Sequence, residues 1–123
     1  MINDYKFYNA NPLNKQEQDC VCRAISKATD TPYYSIEHKL QLIGELFECD
    51  KLCVCCYHHL LEKVFGLIPK NANKKTVGEI AKDFKNNVVL IRIDGHLTMA
   101  EYGVVHDIWD CTEEVADIFW VVE

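Results

Sequence analysis

Hydrophobic periodicity changes once along this chain, and that change constrains the fold more than any other feature. Between Asp19 and Phe65 the apolar residues recur at three- and four-residue spacing, whereas from Val88 onward they form short β-branched and aromatic runs separated by turn residues. The first pattern predicts helices over 20–29 (Val21, Ala24, Ile25, Ala28), 33–47 (Ile36, Leu40, Ile43, Phe47) and 57–65 (Leu60, Leu61, Val64). Thr31-Pro32 supplies an N-cap and first position for the second of these, and Gly66 a C′ residue for the third. Thr76-Val77-Gly78-Glu79 reads as a capping box opening a fourth helix over 76–85. The second pattern predicts strands at Val88–Ile93, His96–Glu101, Val104–Trp109 and Ile118–Val122. Helices followed by an antiparallel meander define an α+β domain, with N-terminal helices packed on a C-terminal antiparallel sheet. Residues 1–18, with the Asn11-Pro12 turn, read as an extended arm lying on that domain, and 71–75 as a loop. No repeat or linker divides the chain, so residues 1–123 are expected to form a single domain.

The net charge is −6, and the densest basic patch, Lys70, Lys74 and Lys75, reads as a solvated loop. Nucleic acid is therefore not expected as a partner, because backbone binding needs clustered cations. The apolar runs fall far short of the roughly 20 residues that span a bilayer, so no membrane partner is expected either. The cysteine count is odd at seven, the adjacent Cys55 and Cys56 suit a disulfide framework badly, and the start of the chain does not read as a signal peptide. Together these features predict a soluble cytoplasmic protein with free thiols.

Against that background three residue types stand out. A thiol attacks a carbonyl as thiolate, and a helix N-terminus beside an imidazolium lowers its pKa. Asp19-Cys20 opens the first helix, and Gly95-His96 opens a strand late in the chain. A histidine base needs an acid on its other nitrogen, and Asp107 and Asp110 on the return strand compete for that place. A two-residue Tyr102-Gly103 loop puts Asp107 on the face of His96 but requires positive φ at an aromatic residue. A three-residue Glu101-Tyr102-Gly103 loop places Gly103 in the left-handed position and makes Asp110 the diagonal neighbour of His96. Turn chemistry alone therefore favours Asp110, with Asp107 as the alternate.

The segments Asp19-Cys20-Val21-Cys22-Arg23-Ala24 and Gly95-His96-Leu97-Thr98, followed by Asp107-Ile108-Trp109-Asp110, resemble small stand-alone papain-like cysteine peptidase proteins of Firmicutes and their phages. These in turn are similar to the peptidase domains that process bacteriocins. The resemblance implies a papain-like core and hydrolysis of a peptide or amide bond through a thioester, with Cys20 as nucleophile, His96 as general base and then acid, and Asp110 as the orienting acid. It implies no cofactor and a peptide or protein substrate. It also implies an oxyanion hole formed by the Cys20 backbone N–H and a side-chain amide upstream. The glutamine usual six positions before the nucleophile is here Asn14, with Gln16 and Gln18 nearer. That departure leaves a second reading, a phage or mobile-element protein that keeps the fold and binds a host protein.

A third reading comes from the cysteine-rich middle. Cys49, Cys53, Cys56 and His59 could share one helical face as zinc ligands, making the chain a zinc-binding interaction module. Packing of small thiols against the core is favoured over it, since Cys55 and Cys56 diverge and no distant ligand pair exists. Trp109, Trp120, Phe119 and Tyr102 have the strand spacing of core aromatics, and Asp110-Cys111-Thr112-Glu113-Glu114 reads as a solvated turn around Asp110.

Overall fold

The computed structural model describes residues 5–13, 19–48 and 54–123. Its elements run β1 (Tyr5–Phe7), α1 (Cys20–Thr29), α2 (Tyr33–Phe47), α3 (Val54–His59) continued by a π-helical turn (Leu60–Val64), β2 (Pro69–Asn71), α4 (Val77–Asp83), β3 (Val88–Ile93), β4 (His96–Glu101), β5 (Val104–Asp107) and β6 (Ile118–Val121). The fold is α+β. One six-stranded sheet has the order β1-β5-β4-β3-β6-β2.

Strand alternation explains why one sheet can be buried on both faces. From β3, Val88 and Leu90 enter a core shared with Ile25, Ile36, Leu40, Leu60 and Trp120, which is the side covered by α1, α2 and α3. Val89, Ile91 and Ile93 point the other way and pack with Val77, Ile80 and Phe119 under α4. The result is three layers, with α1 lying on β4. The Thr76 capping box is formed, its hydroxyl accepting from Glu79 N–H while the Glu79 carboxylate accepts from Thr76 N–H. Gly66 takes the left-handed C′ conformation, φ +72°.

Several expectations need correction. The sheet is mixed, because the N-terminal arm adds β1 to β5 in parallel, with Tyr5 opposite Val105. A short edge strand, β2, pairs with β6 where the chain was read as entering a loop. Pro32, not Thr31, is the N-cap of α2; the Thr31 hydroxyl bonds back to Thr29. Trp120 and Phe119 are core residues, but Tyr102 sits at a turn tip and Trp109 beyond the end of β5, 60% and 41% exposed. In the supposedly solvated acidic turn, Cys111 and Thr112 are buried.

The β4–β5 hairpin carries the most consequential correction. Glu101 pairs with Val104, leaving the two-residue loop Tyr102-Gly103 with φ of +50° and +86°. This is the mirror-image turn that matches strand twist. Left-handed backbone costs a non-glycine residue on the order of 1–2 kcal/mol, and two features offset it here. Tyr102 N–H donates to the Asn87 carbonyl at 3.0 Å, and the exposed ring loses no packing. Gly103 is needed on two counts, since a Cβ there would stand 3.3 Å from the Lys85 Cβ in addition to the positive φ.

Candidate active site

The register fixed by that turn decides which acid meets His96. With Glu101 opposite Val104, Asp107 falls on the face of His96, and His96 Nε2 lies 2.6 Å from Asp107 Oδ2. Asp110 is exposed, and its Oδ1 accepts from Thr112 N–H at 3.0 Å and from the Thr112 hydroxyl at 2.6 Å, closing the turn after β5. The preference for Asp110 is thus overturned in favour of Asp107. Turn propensity argued against positive φ at Tyr102, and the pairing of β4 with both its neighbours outweighed it.

Cys20 begins α1 and is half-buried beside His96. Besides Asp107 on Nε2, the ring has hydrogen bonds with the Cys111 and Cys20 thiols. Burial pushes the Cys20 thiol up, but hydrogen bonds from His96 and from Leu97 N–H, together with the charges of His96 and Arg23, outweigh it and lower its pKa. His96 shifts the opposite way. Burial pulls it down, yet hydrogen bonds with Asp107, Cys111 and Cys20 push it up to about 11. Asp107 is raised by burial and lowered more strongly by its hydrogen bond with His96, the His96 charge and the Ile108 N–H. All three shifts favour a thiolate–imidazolium pair backed by a carboxylate, the state in which sulfur is nucleophilic.

Cys20 and His96 line a cleft of about 740 Å³, with Asp107 outside its lining. Its walls are largely apolar, from Ile93, Leu97, Ile108, Val54 and Tyr57, with Arg92 and Asp117 also in its lining. The Trp109 ring is tilted over His96, with centroids 5.3 Å apart. The cleft has the size and lining of a small-ligand or peptide site.

Behind the pair lies a set of polar residues that sequence patterns did not single out. Asp19 was read only as the residue before the nucleophile. Its carboxylate does not cap α1; it accepts from Asn11 Nδ2 at 2.9 Å and from the Tyr33 hydroxyl at 2.6 Å, and it pairs with the buried Arg23. The available signal was an arginine among Val21, Cys22, Ala24 and Ile25, on a helix whose other face is polar. The Asp107 carbonyl is held by the arm, accepting from Tyr8 N–H at 2.9 Å and from the Tyr5 hydroxyl at 3.0 Å.

Among the described residues one trio of metal-type donors converges, His96, Asp107 and Cys111, with donor atoms within 4.8 Å of one another. Two of the three already bond to each other, so the trio is the acid–base pair with a thiol 3.9 Å from the carboxylate. The zinc reading of the middle finds little support. Cys56 is fully buried in the core and His59 stacks edge-on against Phe47 at 5.0 Å, while Cys49 and Cys53 lie outside the described residues. Asn14 and Gln16, the oxyanion candidates, lie outside them as well.

No family model, curated protein or solved structure matches this chain.

Proposed function

We propose that this chain is a papain-like cysteine hydrolase that cleaves a peptide or amide bond, with Cys20 as nucleophile, His96 as general base and then acid, and Asp107 as the orienting acid. The observation that carries the reading is the line Cys20–His96–Asp107, whose first two members line an open cleft, with the 2.6 Å bond that fixes the imidazole. Cys20 sulfur attacks the carbonyl, the Cys20 backbone N–H at the helix start receives the developing oxyanion, and His96 protonates the leaving amine. A water deprotonated by His96 then releases the acid from the thioester and restores the thiol. The chain order of cysteine, histidine and acid, with the nucleophile on a helix laid over the sheet, supports a papain-like likeness. Free thiols at Cys20 and Cys111 suit a reducing cytoplasm. A second reading, sequestration of a host protein by the same fold, rests on Asn14 standing where such enzymes usually carry glutamine.

Competition for iodoacetamide, read by mass spectrometry at pH 6–7, tests the enzyme reading. Exposed Cys55 is the fair reference because it needs no opening of the core. Cys20 is expected to be alkylated well ahead of it, and equal rates would sink the proposal. Binding without chemistry is distinguished by Cys20→Ala, which abolishes hydrolysis but leaves a purely sequestering role intact.

A further inference from the structure

Arg23 is placed where only a paired charge is tolerated. It is 6% exposed, one helical turn beyond Cys20, and lines the cleft on the nucleophile's side. One amino group, Nη1, pairs with Asp19, which Asn11 and Tyr33 hold from outside α1. The other, Nη2, stands 3.8 Å from Asp107 Oδ1, the carboxylate oxygen turned away from His96. A guanidinium is planar and cannot be neutralised at ordinary pH, so a fork anchored at one prong is a fixed positive charge for whatever faces the other. The side chains therefore alternate in sign through the interior: Asp19, Arg23, Asp107, His96, Cys20.

We infer that Arg23 is a positioning residue for the proposed hydrolysis, a buried clamp that anchors the Asp107 carboxylate and, through it, the orientation of His96 toward Cys20. The inference rests on the cysteine-hydrolase reading. It gives a role to Asp19 and Tyr33 that catalysis itself does not need, since the buried arginine requires a fixed counter-charge on the side away from the site. The other titratable groups around the clamp are Tyr33 from α2, Tyr57 from α3, Lys27 from α1, His106 from β5 and Cys111 after it. None of these offers Asp107 Oδ1 a second fixed cation within salt-bridge distance among the described residues.

The test is the pH profile of Cys20 alkylation, read with and without the Asp107 carboxylate so that the clamp is told apart from the direct charge of Arg23 on the thiol. In the wild type, reactivity should persist well below the free-cysteine value of about 8.5. Arg23→Lys should keep the reactive limb near its wild-type position. Arg23→Met should raise it by about one unit, the order of effect of losing an opposite charge at this range. Because Arg23→Met strands Asp19 and could fail to fold, the D19N/R23M pair repeats the measurement with the interior neutral. In an Asp107→Asn background, loss of Arg23 should leave only the direct effect of its charge on the thiol, a smaller shift than with the carboxylate present. An unmoved limb in both D19N/R23M and Arg23→Met overturns the inference, and so does an equal shift with and without Asp107. If wild-type Cys20 reacts no faster than Cys55, the hydrolase reading fails first, and the two failures are told apart.

Discussion

The molecule holds two histidine–carboxylate pairs whose pKa shifts run in opposite directions. His96 meets Asp107 at 2.6 Å and is pushed up to about 11. His58 Nδ1 meets Glu62 Oε2 at 3.1 Å, yet burial and the Arg92 guanidinium lower its pKa. The third neighbour decides. Arg92 Nη1 stands 2.8 Å from His58 Nε2 and can only donate, so that nitrogen must accept and the ring stays neutral. Around His96 the remaining partners are thiols, which accept a cationic ring. A histidine beside a carboxylate is thus no sign of a base in itself. The remaining neighbours of the ring separate the neutral pair from the cationic one.

The largest contrast should appear in turnover. His96→Gln is expected to cut amide hydrolysis by about 10³-fold, the scale of a lost general base, whereas His58→Gln, remote from the nucleophile, should stay within a small factor of wild type. Comparable losses in a fluorogenic-substrate assay would erase the distinction. Next in size is the choice of acid. Asp107→Asn should lower kcat by about 10²- to 10⁴-fold by misorienting the imidazole, while Asp110→Asn leaves kcat nearly unchanged. The reverse ranking would restore the three-residue loop.

A smaller effect concerns stability against pH. Because the folded pKa of His58 lies below its unfolded value, the neutral ring stabilises the fold above about 6.5, and that contribution declines as the pH falls below it. His96 has the opposite sign, its folded value being raised, so its contribution is complete below about 6.5 and is lost as the pH rises toward about 11. Urea titrations from pH 5 to 8 should show that His58→Gln loses less stability on acidification than wild type; an identical slope would mean that the Arg92 contact does not govern the ring. The smallest expected change is at Tyr102→Gly, where relief of the left-handed backbone should add about 0.5–1 kcal/mol. A loss of stability there would show that the Tyr102 side chain contributes more than its exposed position suggests.

Much of this was legible in the sequence for a physical reason: where one face of an element is buried, its period is written in the residues. The spans of α1 and α2 and the Thr76 cap follow from such patterns, whereas the pairing of Cys20 with His96 rests on chain order and the resemblance. What could not be read was set by tertiary pairing. The strand β2 is three exposed residues beginning at Pro69, too short to show alternation, and it exists because β6 offers an open edge. The acid was misassigned because the local preference of Tyr102 was weighed without β3, which pairs along the whole of β4 and helps fix its course. Arg23 escaped notice because a charge on an apolar face is explained only by partners that arrive from Asp19 and from β5, 84 residues downstream of Arg23 at Asp107.

The strand β1 bears on how the molecule becomes competent. Tyr5 pairs with Val105 across 100 residues, and Tyr5 and Tyr8 grip the main chain at Asp107 from the outer edge of the sheet. Closing so long a loop carries an entropic cost before any contact repays it, so this pairing belongs among the late events of folding. The helices and the central hairpin can form from near neighbours, whereas the carboxylate that aims the imidazole is fastened only when the two extremities of the chain meet. A chain caught midway would hold its thiol and its histidine and still lack the aim, so the proposed hydrolysis would begin only once the fold is complete.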